Sequence, residues 1–430
     1  MKKLLFAIFA VTLLAVPAMA SVQSVKVSGD IESTYLIRNN FDLTNYEQSV
    51  LFTQTRLRVD SDLTDKVSAT IAMINERVWG ENDSASSDID LNLAYVTMKE
   101  MLYSPLTVTL GRQEFAFGNS FVVDSRGSNN TAPTDSGLNN VAEDLTKQTA
   151  KDALRLNFDY DPLTIDVLYA AIDQNTVTGA VDSDDTDLYG VNVGYQFNND
   201  KNTMVEGYFW AQDEDSTDNK IYMPGARVST NITDSWIVQA EAAMQLGTYS
   251  PAGEEFDREA FAGQLISNYM LPIAKAYQPV LGVAYSYYSG DSDSSTGDYD
   301  NWDPMYENQG TGKIANALFN ASNSHVLGAN LSIVPAEDFT ANLYYDYLWM
   351  DKNLSSAFTL IQPDGTAATP SQDTDETELG HEVGLVLTYD YTEDVQFGAR
   401  AGWFLPGQRF EDTETDDAAS QLLLNAKVAF

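Results

Sequence analysis

The sequence predicts an all-β fold: one transmembrane antiparallel up-and-down β-barrel of about 18 strands, with short turns at one rim and long acidic loops at the other. Three observations predict it. Apolar and polar residues alternate with period two along most of the chain. Short and long connections follow one another in turn. The chain also ends in mid-pattern, on QLLLNAKVAF, where a soluble domain would fray.

The first element is an address. Lys2 and Lys3 precede an apolar run over 4–16, and Ala18-Met19-Ala20 has the small-x-small form of a cleavage site. Residues 1–20 read as a cleaved signal peptide, leaving 21–430 as one barrel domain. No later run is long and apolar enough for a membrane helix. The formal net charge is -39, from 24 Lys+Arg against 63 Asp+Glu, which excludes a nucleic-acid partner. Aromatic residues make up 11%, which argues against disorder. The absence of Cys removes disulfides, thiol chemistry and covalent haem attachment, and no cofactor is expected.

Eighteen segments carry the strand pattern: 23–38, 48–60, 65–79, 88–98, 105–114, 151–160, 163–173, 185–197, 202–212, 219–230, 235–248, 257–270, 277–288, 323–334, 338–350, 376–391, 394–405 and 419–430. In LYGVNVGYQF, Tyr189, Val191, Val193, Tyr195 and Phe197 share one face, and Asn192 and Gln196 take the other. Tight turns such as Asp161-Pro162 and 198–201 alternate with long connections at 115–150, 174–184, 289–322, 351–375 and 406–418. Sandwiches do not segregate connections in this way, whereas outer-membrane barrels do. The last strand must then pair with the first, because lipid tolerates no open edge. Phe430 falls on the lipid face, in the interfacial girdle, and a terminal aromatic resembles the C-terminal signature of bacterial outer-membrane proteins, which implies the barrel assembly machinery as a partner. Lipid and lipopolysaccharide are the other expected partners, in the outer membrane of a Gram-negative cell.

Charges on the lipid face would cost a few kcal/mol near the midplane, so they are expected inside. The phase of each strand sends Arg56, Arg58, Arg155, Arg258, Arg400 and Lys427 inward. The same phase sends in Asp30, Glu32, Glu76, Asp88, Asp90, Asp166, Glu206, Glu241, Asp346, Glu378 and Glu382. Inward acids outnumber inward bases, which suggests a cation preference. Segment 110–126, LGRQEFAFGNSFVVDSR, ends a strand and opens the connection 115–150, long enough to fold back into the lumen. Arg112, Gln113, Glu114 and Arg126 are therefore candidates for a constriction. The acidic connections read as solvated loops, with Asp291, Asp293, Asp298 and Asp300 as a loose candidate calcium site. An EF-hand is excluded there, because Gly297 is one place late and Trp302 stands where a bidentate Glu belongs.

Two blocks carry a family resemblance. LNLAYVTMKEMLYSPLTVTLGRQEFAFGNSFVVDSR and the later YDNWDPMYENQG (299–310) resemble the alginate-export family of outer-membrane barrels. That resemblance implies an eighteen-stranded monomer that passes an anionic polysaccharide through a cationic lumen. The residues by themselves favour a passive channel (a porin) for small hydrophilic or charged solutes, with the alginate-type channel as the alternative. An enzyme is not expected. Only His325 and His381 could serve as a base; His381 is in phase with Leu379 and Val383 on the lipid side, and His325 starts a strand. A sheath around a partner cytochrome is the remaining class.

Overall fold

The computed structural model describes residues 22–81, 88–126, 132–173, 185–215, 218–250, 254–292, 297–361, 366–410 and 417–430. The signal-peptide segment and Asp293 lie outside them. Eighteen strands form one sheet. The first six are β1 (Ser24–Asn39), β2 (Glu47–Thr64), β3 (Val67–Val78), β4 (Asp90–Lys99), β5 (Leu106–Gln113) and β6 (Lys151–Asp159). Next come β7 (Leu163–Asp173), β8 (Thr186–Gln196), β9 (Met204–Glu214), β10 (Asn219–Thr233), β11 (Trp236–Tyr249) and β12 (Phe256–Met270). The last are β13 (Val280–Tyr288), β14 (Ser324–Ala336), β15 (Phe339–Met350), β16 (Glu378–Asp390), β17 (Val395–Pro406) and β18 (Ala419–Ala429). Each predicted segment is a strand. The 13th starts late because Lys275–Tyr277 form a single 3-10 turn, flanked by Ala274 and Gln278 at φ 46°.

Every strand is antiparallel to its sequence neighbours, and β18 closes on β1, with Ile31 opposite Val428 and Tyr35 opposite Leu424. The terminal residue is part of the seam. Gly29 and Phe430 exchange backbone hydrogen bonds of 2.9 and 3.0 Å. A Cβ on Gly29 would sit 2.7 Å from the Phe430 ring, so glycine makes room for that aromatic on the outer wall. The closing strand therefore has no free edge.

The outer wall is apolar: Ile71, Leu265, Leu343, Phe397 and Trp403 all stand exposed there, the surface a bilayer covers. The inner wall is covered by the chain's own loops. Phe115, Phe117, Phe121 and Val123 pack on Ala153, Leu168, Leu188 and Trp210. A five-residue helix α1 (Ile314–Leu318) packs with Leu348, Leu379, Phe404 and Phe410. The sequence pattern does not show this helix, nor the short ladder between Leu360–Ile361 and Ala367–Ala368.

One bulge changes a predicted phase. The register slips between Leu348 and Trp349, opposite Gly380 and Glu378. Gly380 adopts φ 143°, and its Cβ position is blocked by the Leu405 carbonyl. Leu379 thus turns into the buried loop cluster. Glu378, expected inside, lies beside His381 at 3.3 Å. Asp88 is also not on the inner wall; it is exposed ahead of β4.

Candidate functional site

The site begins where β5 ends. Gly111 has φ 120°, and the Ala94 carbonyl occupies the place of its Cβ, so only glycine fits. The buried Gln113 amide then donates to the Ala153 carbonyl at 2.9 Å, tying the exit of β5 to β6. From there the connection runs inward. The Phe117 ring meets Trp210 at 4.6 Å between centroids. Farther along, buried Glu76 of β3 accepts from Ser136 Oγ at 2.5 Å, Thr146 Oγ1 at 2.8 Å and the Lys147 amide at 2.8 Å. Arg38 of β1 holds Asp144 at 2.6 Å.

A second connection, between β13 and β14, enters from the opposite wall and meets the first. The Asp124 amide donates to the Tyr306 carbonyl (2.9 Å), the Tyr306 amide to Val122 (3.2 Å) and the Asn308 amide to Ser120 (2.9 Å). Gln309 Nε2 donates to the Asn119 carbonyl at 3.0 Å. The wall grips this loop through three groups. Glu382 accepts the Ile314 and Ala315 amides at 3.0 and 2.7 Å. Asp346 pairs with Lys313 at 2.7 Å, and Arg400 donates to the Thr311 carbonyl at 2.8 Å.

Between the joined loops and the β1, β2 and β18 wall lies a cavity of about 660 Å³. Its charged lining is Arg56, Arg126, Lys147 and Lys427 against Glu32, Glu114 and Asp124. Arg56 holds Asp30 at 2.9 Å, and Lys147 holds Glu32 at 2.6 Å. Arg126 grips Asp124 through two nitrogens at 3.0 and 2.6 Å. Burial pushes the Asp124 carboxyl up, but its hydrogen bonds from Arg126 and Ser120 outweigh that and hold it below the usual range. Among the described residues Lys427 has no carboxylate within salt-bridge distance.

A family model described as alginate export matches residues 24–422. The chain belongs to the alginate export family. Its fold is that of outer-membrane porins. The outer membrane protein OprD from Pseudomonas aeruginosa superposes with a TM-score of 0.60 at 10% identity, covering 96% of each chain. OpdK from the same organism, solved with vanillate, gives 0.58 at 9% identity over 95% of this chain and 99% of its own. Pseudomonas aeruginosa OccK2 (OpdF), solved in complex with glucuronate, gives 0.59 at 12% identity over 95% and 98%. No curated protein matches the sequence significantly.

The remaining candidates of this alginate-export barrel are spread over the inner wall. Arg155 binds Asp166 at 2.8 Å and lies 5.3 Å from the Phe117 ring, pinning the first loop. Glu206 and Glu241 both face Arg227, and Glu241 also accepts from Tyr208 at 2.9 Å. Arg258 is buried between Tyr249 and Tyr299, with its Nη2 on Asn219 at 2.9 Å. Arg58 pairs with Asp60 at 2.8 Å, closer to the short-turn rim. Arg400 and Asp346 line a separate cavity of about 340 Å³ with Lys313 and Tyr344. Glu382 is fully buried beneath helix α1.

One expectation needs correction. Arg112 is not at the constriction: it shares the face of Leu110, the lipid side, and lies 3.4 Å from Asp152 across the strand pair. Gln113 is locked onto backbone carbonyls and offers nothing to a solute. The candidate calcium site is left open by Asp293, which lies outside the described residues; among those described, no group of three or more Asp, Glu, His or Cys is arranged to hold a metal. Burial and the nearby Asp291 and Asp298 push the Asp300 carboxyl up instead. The two His lie on the outer wall: His325 stacks on Trp349 at 4.9 Å, and His381 on Tyr347 at 4.6 Å.

Sequence reasoning missed Lys147, Asp124 and Lys313, and it did not bring the second loop into the lumen. These residues sit in irregular segments, where periodicity carries no information. Arg227 was legible: it alternates with Val228, a lipid-side residue, and faces Glu206 and Glu241 in register.

Proposed function

We propose that this barrel is a passive channel for small hydrophilic and charged solutes, with its selectivity set in the chamber beneath the two joined loops. The observation that carries this reading is the chamber's lining. Four cationic side chains converge there with three carboxylates, although the chain as a whole stands at -39. Solutes cross by diffusion, screened by size at the loops and by charge in the chamber. No step needs a catalytic group, and we assign the protein no reaction. Phe430, held in the seam, is the element we assign to recognition by the assembly machinery.

A second reading has its own support. Lys427 and Arg400, on neighbouring strands, have no carboxylate partner among the described residues. Unpaired cations favour an anionic permeant, in line with the family's name. The test is the reversal potential of single refolded barrels across a salt gradient. Weak selectivity is the expected result. A strong cation preference would show that the acidic rim governs and would overturn the chamber's role. An anion preference would support the second reading. A barrel that does not conduct would sink both.

A further inference from the structure

Past the inserted loops, on the side away from the charged chamber, three cavities line up. The outer one, of about 330 Å³, sits among the long loops and is bordered by Tyr299, Phe319 and Phe358. The middle one, of about 410 Å³, lies between the second loop and the β12–β15 wall. The inner one, of about 340 Å³, is bordered by Lys313, Tyr344 and Arg400. They share walls. Phe319, Asn320 and Leu379 border both the outer and the middle cavity. Ala284, Lys313 and Asp346 border both the middle and the inner. The charged chamber meets this series only at Thr311 of the second loop.

The lining chemistry differs from that of the chamber. Apolar groups, the Phe319 ring with Leu348 and Ile266, line the middle cavity together with neutral amides. Asn119, Gln264 and Gln309 form one hydrogen-bonded group: Asn119 Nδ2 donates to Gln264 at 2.8 Å, and Gln309 Nε2 donates to Gln264 at 3.0 Å. The one cation of the middle cavity, Lys313, is cancelled by Asp346 at 2.7 Å. Its carboxylate Glu307 is turned onto the Gln309 amide at 2.6 Å. An ion entering the middle cavity would lose hydration without gaining a counter-charge. A flat ring with apolar faces and a hydroxyl-bearing edge would gain both ring contact and hydrogen bonds.

We propose that this series of cavities is a second route through the barrel, one that takes uncharged hydroxylated rings and runs beside the ionic route. The inference rests on the channel reading above and adds a substrate class to it. The charged chamber carries ions; the amphipathic run carries neutral rings; the second loop is the partition between them.

The test uses the full refolded chain and phenyl β-glucoside, an uncharged hydroxylated ring compound. Ala284→Phe places a bulky group on the inner face of β13, where the middle and inner cavities meet. Expected is a roughly fivefold fall in glucoside influx into proteoliposomes, with single-channel conductance in KCl kept within about a fifth of wild type. Influx and conductance falling in parallel would mean one shared route and would overturn the proposal. So would an influx that the substitution leaves unchanged. A second measurement needs no variant. At saturating glucoside, wild-type KCl current persists if the routes are separate, and a complete block overturns them. Wild-type barrels that pass neither ions nor glucoside would instead refute the channel reading itself.

Discussion

Lys427→Glu is the most direct probe of the charged chamber. The lining holds four cations and three carboxylates, and Lys427 is the cation without a carboxylate within salt-bridge distance among the described residues. Reversing it changes the local charge by about two units. At ~8 Å in water-like dielectric, one unit charge is worth about 0.5 kcal/mol, so the reversal is worth about 1 kcal/mol. Screening over a ~10 Å Debye length roughly halves this. An energy of ~0.5 kcal/mol enriches cations about twofold and depletes anions about twofold, so the permeability ratio moves about fivefold toward cations. In a tenfold KCl gradient, a channel that begins unselective should move by roughly 30 mV. The control is Lys66→Glu, at an exposed turn where Lys66 pairs with Glu100 at 2.5 Å; it should leave the potential in place. A Lys427→Glu channel with an unchanged reversal potential would show that ions do not pass the chamber.

Three further predictions follow from the loops. Arg409 is fully buried and donates to Gln372, Asn353 and the carbonyls of Leu354, Ser356 and Glu376. Arg409→Ala should cost about 3–5 kcal/mol of local stability, read as faster proteolysis of the 351–376 loop in a barrel that stays heat-resistant; equal cleavage rates would contradict this. Glu382→Gln leaves one acceptor for the two amides of α1 and should cost about 1–3 kcal/mol. Its signature is more open-channel current noise than wild type, and identical noise would count against the carboxylate as the anchor. Glu307, at the junction of the two loops, is pushed up to about 7 by burial. A carboxyl raised above its unfolded value keeps its proton in the folded state, so loop packing is strongest below about pH 4.5, weakens as pH rises through about 7 and is level above that. Glu307→Gln should flatten the pH dependence of loop proteolysis between about pH 5 and 8, and an unaltered profile would refute the assignment.

The sequence made the barrel legible because lipid enforces a rule on every strand. Val167, Tyr169 and Leu265 must face out, so Asp166, Leu168 and Gln264 must face in, and this holds wherever the ladder is regular. It fails where the ladder slips. At Leu379 a single bulge moved an apolar residue to the inside and Glu378 to the rim. The site was less legible for a related reason. Its strand lining, Arg56, Lys427 and Glu32, follows the strand phase, but the rest of its lining comes from loops. Lys147 and Asp124 carry no periodic signal, and their positions depend on Glu76 and on the backbone bonds to Tyr306. The motif blocks LGRQEFAFGNSFVVDSR and YDNWDPMYENQG did point to the right segments. The first begins the loop that enters from β5, and the second is the stretch that meets it at Val122 and Asp124.

The net charge of -39 would suggest a strongly cation-selective pore. The folded chain distributes that charge differently. Lipid drives charged side chains to the inner wall, and the inserted loops then take water away from many of them. A carboxylate buried without a partner costs several kcal/mol, so the acids under the loops must be matched. Asp166 is matched by Arg155, Glu206 by Arg227 and Asp346 by Lys313. Glu382 is matched by two backbone amides and Glu76 by hydroxyls and an amide. Each match removes one acid from the field that a permeant ion feels. Much of the acid surplus is carried by the long loops, where salt screens it beyond about 8 Å at physiological ionic strength. The groups left to act on an ion inside are those without an ion-pair partner; among the described residues Lys427 and Arg400 are cations, and Glu114, which accepts only from Thr149 Oγ1 at 3.3 Å, is an acid. Filling an acidic barrel with its own loops therefore leaves the lumen to a few unpaired groups of both signs, and this is why weak selectivity is expected despite the net charge.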